Sequence, residues 1–304
     1  MGKIAFVFAG QGSQFAGMGK DIYAYSKAAK NVFDMAENQR SGMENICFED
    51  PQDELNATIN TQPCLFAMDL ACARALNEKE IYADGAAGFS LGEIPALAYC
   101  GLMSDSEAFK LVCFRAEKMQ KCAEEQKGVM LAVLKITANK VIDICKNIDD
   151  AYPVNYNCEG QTVVACAEAS ESNLQKTISE NGGRAVKLNV SGAFHSPFMN
   201  KASEELLEYL KNRELGTMKT PLYSNVTAKI YDNPKELISK QVNSPVLWQK
   251  TVENMMNDNF DVFIEVGAGK TLSGLIKKIN KDVKVFSVFD AASLKNVAAE
   301  VENA

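Results

Sequence analysis

The first apolar run, KIAFVFAG, has the length of a strand and gives way to a polar, glycine-rich loop, GQGSQFAGMG. The spacing that follows predicts one helix from about 21 to 38. ADGAAGFS is short and made of small residues, and reads as a buried strand running into a turn at Ser90. LGEIPALAYCG reads as the next helix, closed by Gly101. Ser104-Asp105-Ser106-Glu107 matches a capping box and opens a long helix through about 124. This alternation of strand, loop and helix predicts an α/β fold, a mostly parallel sheet with helices on both faces. Near Gly128 the rhythm changes. VMLAVLKI reads as a strand, TANKVIDICKNI as a helix begun by Thr137, and YPVNYNC and QTVVACA as a hairpin turning at Glu159-Gly160. SESNLQKTISENGG reads as a helix capped by Ser170, and RAVKLNV as a last strand. That order, βαββαβ, is the ferredoxin-like split unit. The chain is therefore expected to have a body formed by 1–126 and 191–304, with a small α+β domain, 127–190, inserted in it. Beyond the insert come a helix near 198–213, a strand TPLYSNV, a helix from about 234 to 243, a strand–glycine loop–helix in FDVFIEVGAGKTLSGLIKKI, and a final strand KVFSVFD.

Composition narrows the function. The 304 residues suffice for one large domain or a large and a small one, and 47% hydrophobic with 23% charged residues is ordinary for a soluble globular chain. No run of 18 uncharged apolar residues is present, so no membrane span is expected. The N-terminal MGKIAFVFAGQGSQ is too short in its apolar part for a signal peptide, and Phe6 stands where a myristoylation signal needs Ser or Thr. Nine cysteines without a C-x-x-C pair form neither a disulfide framework nor a zinc site, which points to a reducing cytoplasm and to no metal. A net charge of −7 argues against nucleic acid as a partner. His195 is the only histidine, so it is the simplest base near neutral pH; by itself a lone histidine is more often a surface or hydrogen-bonded core residue.

Gly88-x-Ser90-x-Gly92 fits a nucleophile elbow, in which glycines let a strand and a helix pack around a sharp turn that exposes the serine oxygen. Such a turn aims the backbone N–H of Leu91 at a bound carbonyl oxygen. Serine needs a base to attack an ester or thioester, and His195 lies in a loop after a predicted strand, beside Pro197. No acid between them stands out at a strand end, which leaves a backbone carbonyl as a candidate third member. The Gly10-Gln11-Gly12-Ser13-Gln14 loop has three readings: a phosphate loop, though it lacks the Walker lysine and the G-x-G-x-x-G spacing; an oxyanion donor through the Gln11 N–H; or an ordinary connection. Arg115 falls on the flank of an apolar stripe of Phe109, Val112, Cys113, Ala116 and Met119. It is either a snorkelling arginine paired with Glu117 or Asp105, or a fork for a substrate carboxylate.

FAGQGSQFAGMG, TQPCLF, GFSLGEIPALAYCGLMS, RAEKMQ, GAFHSPFM and EVGAGKTLSGLIKKI, in this order, closely resemble the malonyl-CoA:acyl carrier protein transacylases of type II fatty acid synthesis, over residues 3 to about 290. The resemblance implies a hydrolase-like α/β body with a ferredoxin-like insert. It implies Ser90 as nucleophile, His195 as base, Arg115 as the malonate-binding residue, and the Gln11 and Leu91 amides as oxyanion hole. In KQVNSPVLW it places the carbonyl that orients the histidine on Gln241, with Asn243 the weaker choice, and it sets Gln62 near the pocket. The implied reaction is a ping-pong transfer from malonyl-CoA, through O-malonyl serine, to the phosphopantetheine thiol of acyl carrier protein. It needs no cofactor or metal, and the implied enzyme is a cytoplasmic monomer that meets its carrier transiently.

Three departures stand out. Phe89 replaces the usual histidine of a Gly-His-Ser elbow, and Ala9 replaces a proline. The segment before the base reads Ala193-Phe194-His195; related polyketide acyltransferases with Ala-Phe-His there select malonyl over methylmalonyl, so Phe194 points to malonyl by analogy. Because the carrier is expected to be acidic, Lys187, Lys201, Lys277 and Lys278 are candidates for a local basic docking patch, against the plainer reading of a solvated face. The alternatives are a malonyl transferase serving polyketide synthesis, a serine esterase or thioesterase with no use for Arg115, and an inactive carrier-docking module.

Overall fold

A computed structural model describes residues 2–302. Strand β1 (Lys3–Phe8) leads through the glycine-rich loop to helices α1 (Lys20–Tyr25), α2 (Lys27–Gln39), α3 (Met43–Phe48) and α4 (Thr58–Glu78). Then come β2 (Gly85–Gly88), α5 (Glu93–Tyr99) and α6 (Asp105–Glu125). A second layer system follows: β3 (Gly128–Leu134), α7 (Ala138–Cys145), β4 (Ala151–Cys158), β5 (Gln161–Ala167), α8 (Glu171–Glu180) and β6 (Arg184–Lys187). The chain closes with α9 (Asn200–Lys211), β7 (Leu222–Tyr223), α10 (Pro234–Lys240), α11 (Trp248–Asn257), β8 (Phe260–Val266), α12 (Thr271–Ile279), β9 (Lys284–Val288) and α13 (Ala291–Glu302).

The larger sheet has the order β7-β2-β1-β8-β9, and every pair in it is parallel. Period-2 alternation assigns its faces: Phe6 and Phe8 enter the core with α2, α4 and α6, whereas Ala5 and Val7 enter the one with Trp248, Met255 and Ile276. The register sets Phe8 beside both Gly88 and Val266, so the loops after β1, β2 and β8 open along one edge. The carboxyl edge of a parallel sheet is where such folds build sites. The smaller sheet, β4-β5-β3-β6, is antiparallel throughout. Val129, Leu131 and Val133 point into its own core with α7 and α8, and the intervening Met130 and Ala132 turn toward the body.

The structure departs from the sequence reading in places. The helix expected over 21–38 is broken at Ser26, which is extended (φ −109°, ψ 127°) and caps α2 by accepting from the Ala29 N–H. Helix α4 was not legible because nearly its whole surface is buried, so it shows no polar face to set a 3.6-residue period. Helices α3, α11 and α13 were likewise unassigned. Ser170 does not cap α8; its hydroxyl donates to the Asp149 carbonyl, 2.7 Å. TPLYSNV pairs only at Leu222 and Tyr223, and the last strand of the smaller sheet stops at Lys187. The capping box at Ser104 and Glu107 is formed. Among the described residues no helix is long and apolar enough to cross a membrane.

Candidate active site

The turn after β2 is held by contact. A Cβ at Gly88 would lie 2.0 Å from the Gly92 carbonyl carbon, and one at Gly92 would lie 2.2 Å from the Phe8 oxygen. Ser90 sits between them at φ +53°, a left-handed conformation that costs a non-glycine residue about 1–3 kcal/mol. Asn225 clamps both sides of the turn: its Oδ1 accepts from the Ser90 N–H at 2.7 Å and its Nδ2 donates to the Gly88 oxygen at 2.6 Å. Leu91 follows with its side chain buried, in the middle of a short helical turn, Ser90–Gly92, that leads into α5.

The Ser90 hydroxyl lies 2.7 Å from His195 Nε2. His195 is itself at φ +63°, and its backbone N–H is tied to the Val242 oxygen. The Nδ1 atom lies 2.8 Å from the main-chain oxygen of Gln241. A carbonyl only accepts, so Nδ1 carries the proton and Nε2 has a free lone pair for the serine hydroxyl. The Nδ1 bond thus goes to Gln241 and not to Asn243, whose side chain donates to Asn200 Oδ1. Burial, then the charge of Arg115, pulls the imidazole down to about 4, so it is neutral and able to accept a proton at neutral pH.

Arg115 is 1% exposed and pairs with neither Glu117 nor Asp105, which are taken by Lys118 and Arg74. Its Nη1 donates to Gln62 Oε1 (2.6 Å), and its Nη2 to Gln241 Oε1 (2.8 Å) and to Ser90 Oγ (3.2 Å). All its hydrogen-bond partners are therefore neutral oxygens. Burial pulls the guanidinium down to about 10, with Glu93 and Tyr231 opposing the fall. Glu93 is fully buried: its carboxylate accepts from the Asn225 N–H (2.8 Å), from Gln241 Nε2 and from the Tyr231 hydroxyl. Burial pushes it up to about 7 against those hydrogen bonds.

The serine and histidine open onto a cavity of about 440 Å³ between the two sheets. Its walls come from the loop at 9–14 and from Phe89, Met119 and Phe194 on one side, and from Met130, Asn155, Asn157, Gln161 and 188–190 on the other. Gln11 lines this cavity; its side chain donates to Thr58 Oγ1, and its backbone N–H has no acceptor among the described residues. Asn155 Oδ1 and Asn157 Oδ1 are buried without partners. Arg115, Gln62 and Gln241 lie behind the serine, not on the cavity wall. Phe89 packs edge-on against Trp248, centroids 5.5 Å apart.

Of the four lysines, Lys187 and Lys201 are paired with Glu171 and Glu125, and Lys277 donates to main-chain oxygens. Lys278 alone reaches a cavity residue, Gln161 Oε1, at 3.2 Å.

Sequence reasoning missed Glu93, Asn225 and Tyr231. Glu93 had a signal, a lone acid within an otherwise apolar helix, since such a residue is buried only with partners. Asn225 and Tyr231 had none, because what they hold is more than 130 residues away in the chain.

The acyl transferase domain family matches residues 5–296. The malonyl CoA-acyl carrier protein transacylase of Bacillus subtilis is 36% identical, with 97% of this chain and 96% of that protein covered. The crystal structure of the Clostridium perfringens transacylase of that name superposes with a TM-score of 0.95 at 36% identity, over 99% of this chain and 98% of the other. A holo complex of a type II PKS acyl carrier protein with its malonyl-transacylase matches at a TM-score of 0.94 and 30% identity, over 98% and 99%.

Proposed function

The chain belongs to the acyl transferase domain family, and on that premise we propose that it moves a malonyl group from coenzyme A to the phosphopantetheine thiol of an acyl carrier protein. The observation that carries this reading is the double contact of Ser90 Oγ, to His195 Nε2 and to an arginine whose hydrogen bonds reach only neutral oxygens. A hydrolase needs the first contact. The second supplies a buried positive charge for an acyl group that carries its own carboxylate.

In this mechanism the malonyl carboxylate takes a place on Arg115, which releases its bond to the serine oxygen. His195 Nε2 accepts the Ser90 proton as Oγ attacks the thioester carbonyl. The oxyanion is held by the Gln11 and Leu91 amides. The C–S bond breaks, and coenzyme A leaves as the thiol with the proton from His195. The carrier thiol then attacks the serine ester and the same proton moves run in reverse, a ping-pong order. A carboxylate beside Arg115 also cancels one of the two influences that depress His195, so the substrate raises the basicity of the group that activates its attacker. Asn155 and Asn157 line the cavity and supply amide groups for a pantetheine arm, although their Oδ1 atoms are buried in the free protein. Phe194, on the cavity wall, limits the acyl group to an unbranched malonyl.

Intact-protein mass spectrometry after mixing with malonyl-CoA or acetyl-CoA tests the reading. One malonyl group should appear on the wild type and none on Ser90→Ala; an adduct that survives in that variant overturns the assignment. Adding holo-carrier proteins of fatty acid and of polyketide origin, and measuring malonyl-carrier against free malonate, separates transfer from hydrolysis and identifies the acceptor. The PKS complex among the structural neighbours supports a carrier protein as acceptor. Lys278, beside the cavity mouth, is the residue we assign to carrier docking; Lys278→Glu should raise the KM for carrier and leave acylation by malonyl-CoA unchanged. The same reading has a cofactor-free monomer acting in the cytoplasm, with sedimentation at the mass of one chain as its check.

A further inference from the structure

We infer that Glu93 is a positioning residue for malonyl selection: its carboxylate fixes the Gln241 amide in the one orientation that offers Oε1 to Arg115, and it supplies the guanidinium's counter-charge from one side chain away. This deepens the transfer reading and rests on it. Gln241 has two N–H bonds and one oxygen on its side chain. Nε2 donates to Glu93 Oε2 and to the Ser90 carbonyl, both pure acceptors. With both hydrogens spent there, Oε1 is turned toward Arg115 Nη2 at 2.8 Å. Glu93 is itself held from other directions by the Asn225 N–H and the Tyr231 hydroxyl. The Asn225 N–H and the Gln241 NH₂ can only donate to it, and the Tyr231 hydroxyl can turn to do the same, so the surroundings favour the carboxylate form. These hydrogen bonds hold the charge against burial, which pushes the group up to about 7.

The arrangement answers a chemical problem. A carboxylate touching Arg115 would satisfy the guanidinium and compete with the carboxylate of the substrate. An uncharged amide binds it more weakly, since charge-assisted pairs are about twice as strong as neutral ones. Interposing Gln241 keeps the positive charge buried, balanced at a distance and open to exchange. Because the same residue's main-chain oxygen holds His195 Nδ1, the imidazole and guanidinium are referred to one point.

Glu93→Gln reverses one hydrogen-bonding end. With its single oxygen on the Asn225 N–H, its NH₂ meets the NH₂ of Gln241, and the Gln241 amide must turn over and present hydrogens to Arg115. The experiment measures Ser90 acylation by malonyl-CoA and by acetyl-CoA. Glu93→Gln should lower the malonyl-to-acetyl ratio by about tenfold or more, chiefly through the malonyl KM. Gln241→Met, which keeps the main-chain oxygen, should lower the ratio similarly, and the double variant should be no worse than either single one, because both act through one contact. Equal losses with both thioesters, or additive losses in the double variant, overturn the inference. If Glu93→Gln does not fold, Gln241→Met alone decides: an unchanged ratio sinks it. Failure of the transfer reading would look different: free malonate would form in place of malonyl-carrier, with the malonyl-to-acetyl ratio of Ser90 acylation untouched.

Discussion

Ser90, His195 and Arg115 depend on one another through charge, and a single-histidine chain lets that be measured directly. The Arg115 guanidinium is the second cause, after burial, of the low His195 basicity. Arg115→Ala should therefore move the imidazole titration upward from about 4 toward the ordinary 6.5, read from the only histidine signals in an NMR titration; an unmoved midpoint would show the charge to be irrelevant. The same variant should lose about 2 kcal/mol of malonyl preference over acetyl, as expected for a charge-assisted pair. The neutral, buried imidazole also bears on stability. Its folded pKa lies below the unfolded one, so its contribution is complete above pH 6.5 and is lost as pH falls toward 4, about 3 kcal/mol at most. Acid unfolding of His195→Gln should lack that part of the slope.

Helices and strands set the precision with which those side chains meet. At Gly92 the helix start touches the backbone of the loop after β1, so Gly92→Ala should cost about 3 kcal/mol or more and lower acylation, although no reactive atom is altered. A chemically competent enzyme of unchanged melting temperature would contradict that account. On α4, Asp69 is wholly buried, its carboxyl meets the Ala268 N–H only in poor hydrogen-bond geometry, and a Cβ at Gly267 would lie 1.8 Å from one of its oxygens. Burial, then Glu265, pushes Asp69 well above its ordinary value. A raised folded pKa means that the unfolded chain ionises first, so stability is lost as pH rises above about 4. Asp69→Asn should flatten this loss in denaturant titrations at pH 5 and pH 7. Parallel curves for variant and wild type would mean that the carboxyl finds a partner.

Across the whole molecule, the cavity exists only because the smaller sheet faces the carboxyl edge of the larger one. We propose that 127–190 is a domain inserted into the body formed by 1–126 and 191–304. Its separate core of Leu131, Val133, Ile144, Val164, Leu174 and Ile178 supports this. Native-state hydrogen exchange should then find the amides of β3–β6 opening with one free energy, distinct from that of β1, β2 and β8; a single value for both sheets would make the chain one cooperative unit. Much of this architecture was legible. The parallel sheet followed from strand–helix alternation, and the βαββαβ order of the second layer system from hairpin and cap signals at Glu159-Gly160 and Thr137. What escaped was either buried on all sides, as in α4, or decided by a local rival to the periodic pattern, as at Ser26.

By itself the sequence determined the chemical inventory: one imidazole, one serine between glycines that must be glycines, and an arginine on the flank of a helix's apolar stripe. These follow from residue type and short-range pattern, where steric and hydrogen-bonding rules act within a few residues. The tertiary structure alone decided that Arg115 touches the serine oxygen instead of a surface carboxylate. It alone decided that Glu93, Gln241 and Asn225 share one buried network, and that two sheets enclose a cavity above it. Those outcomes depend on which distant groups are left without water once the cores close, since a buried polar atom takes whichever partner the packing brings within reach.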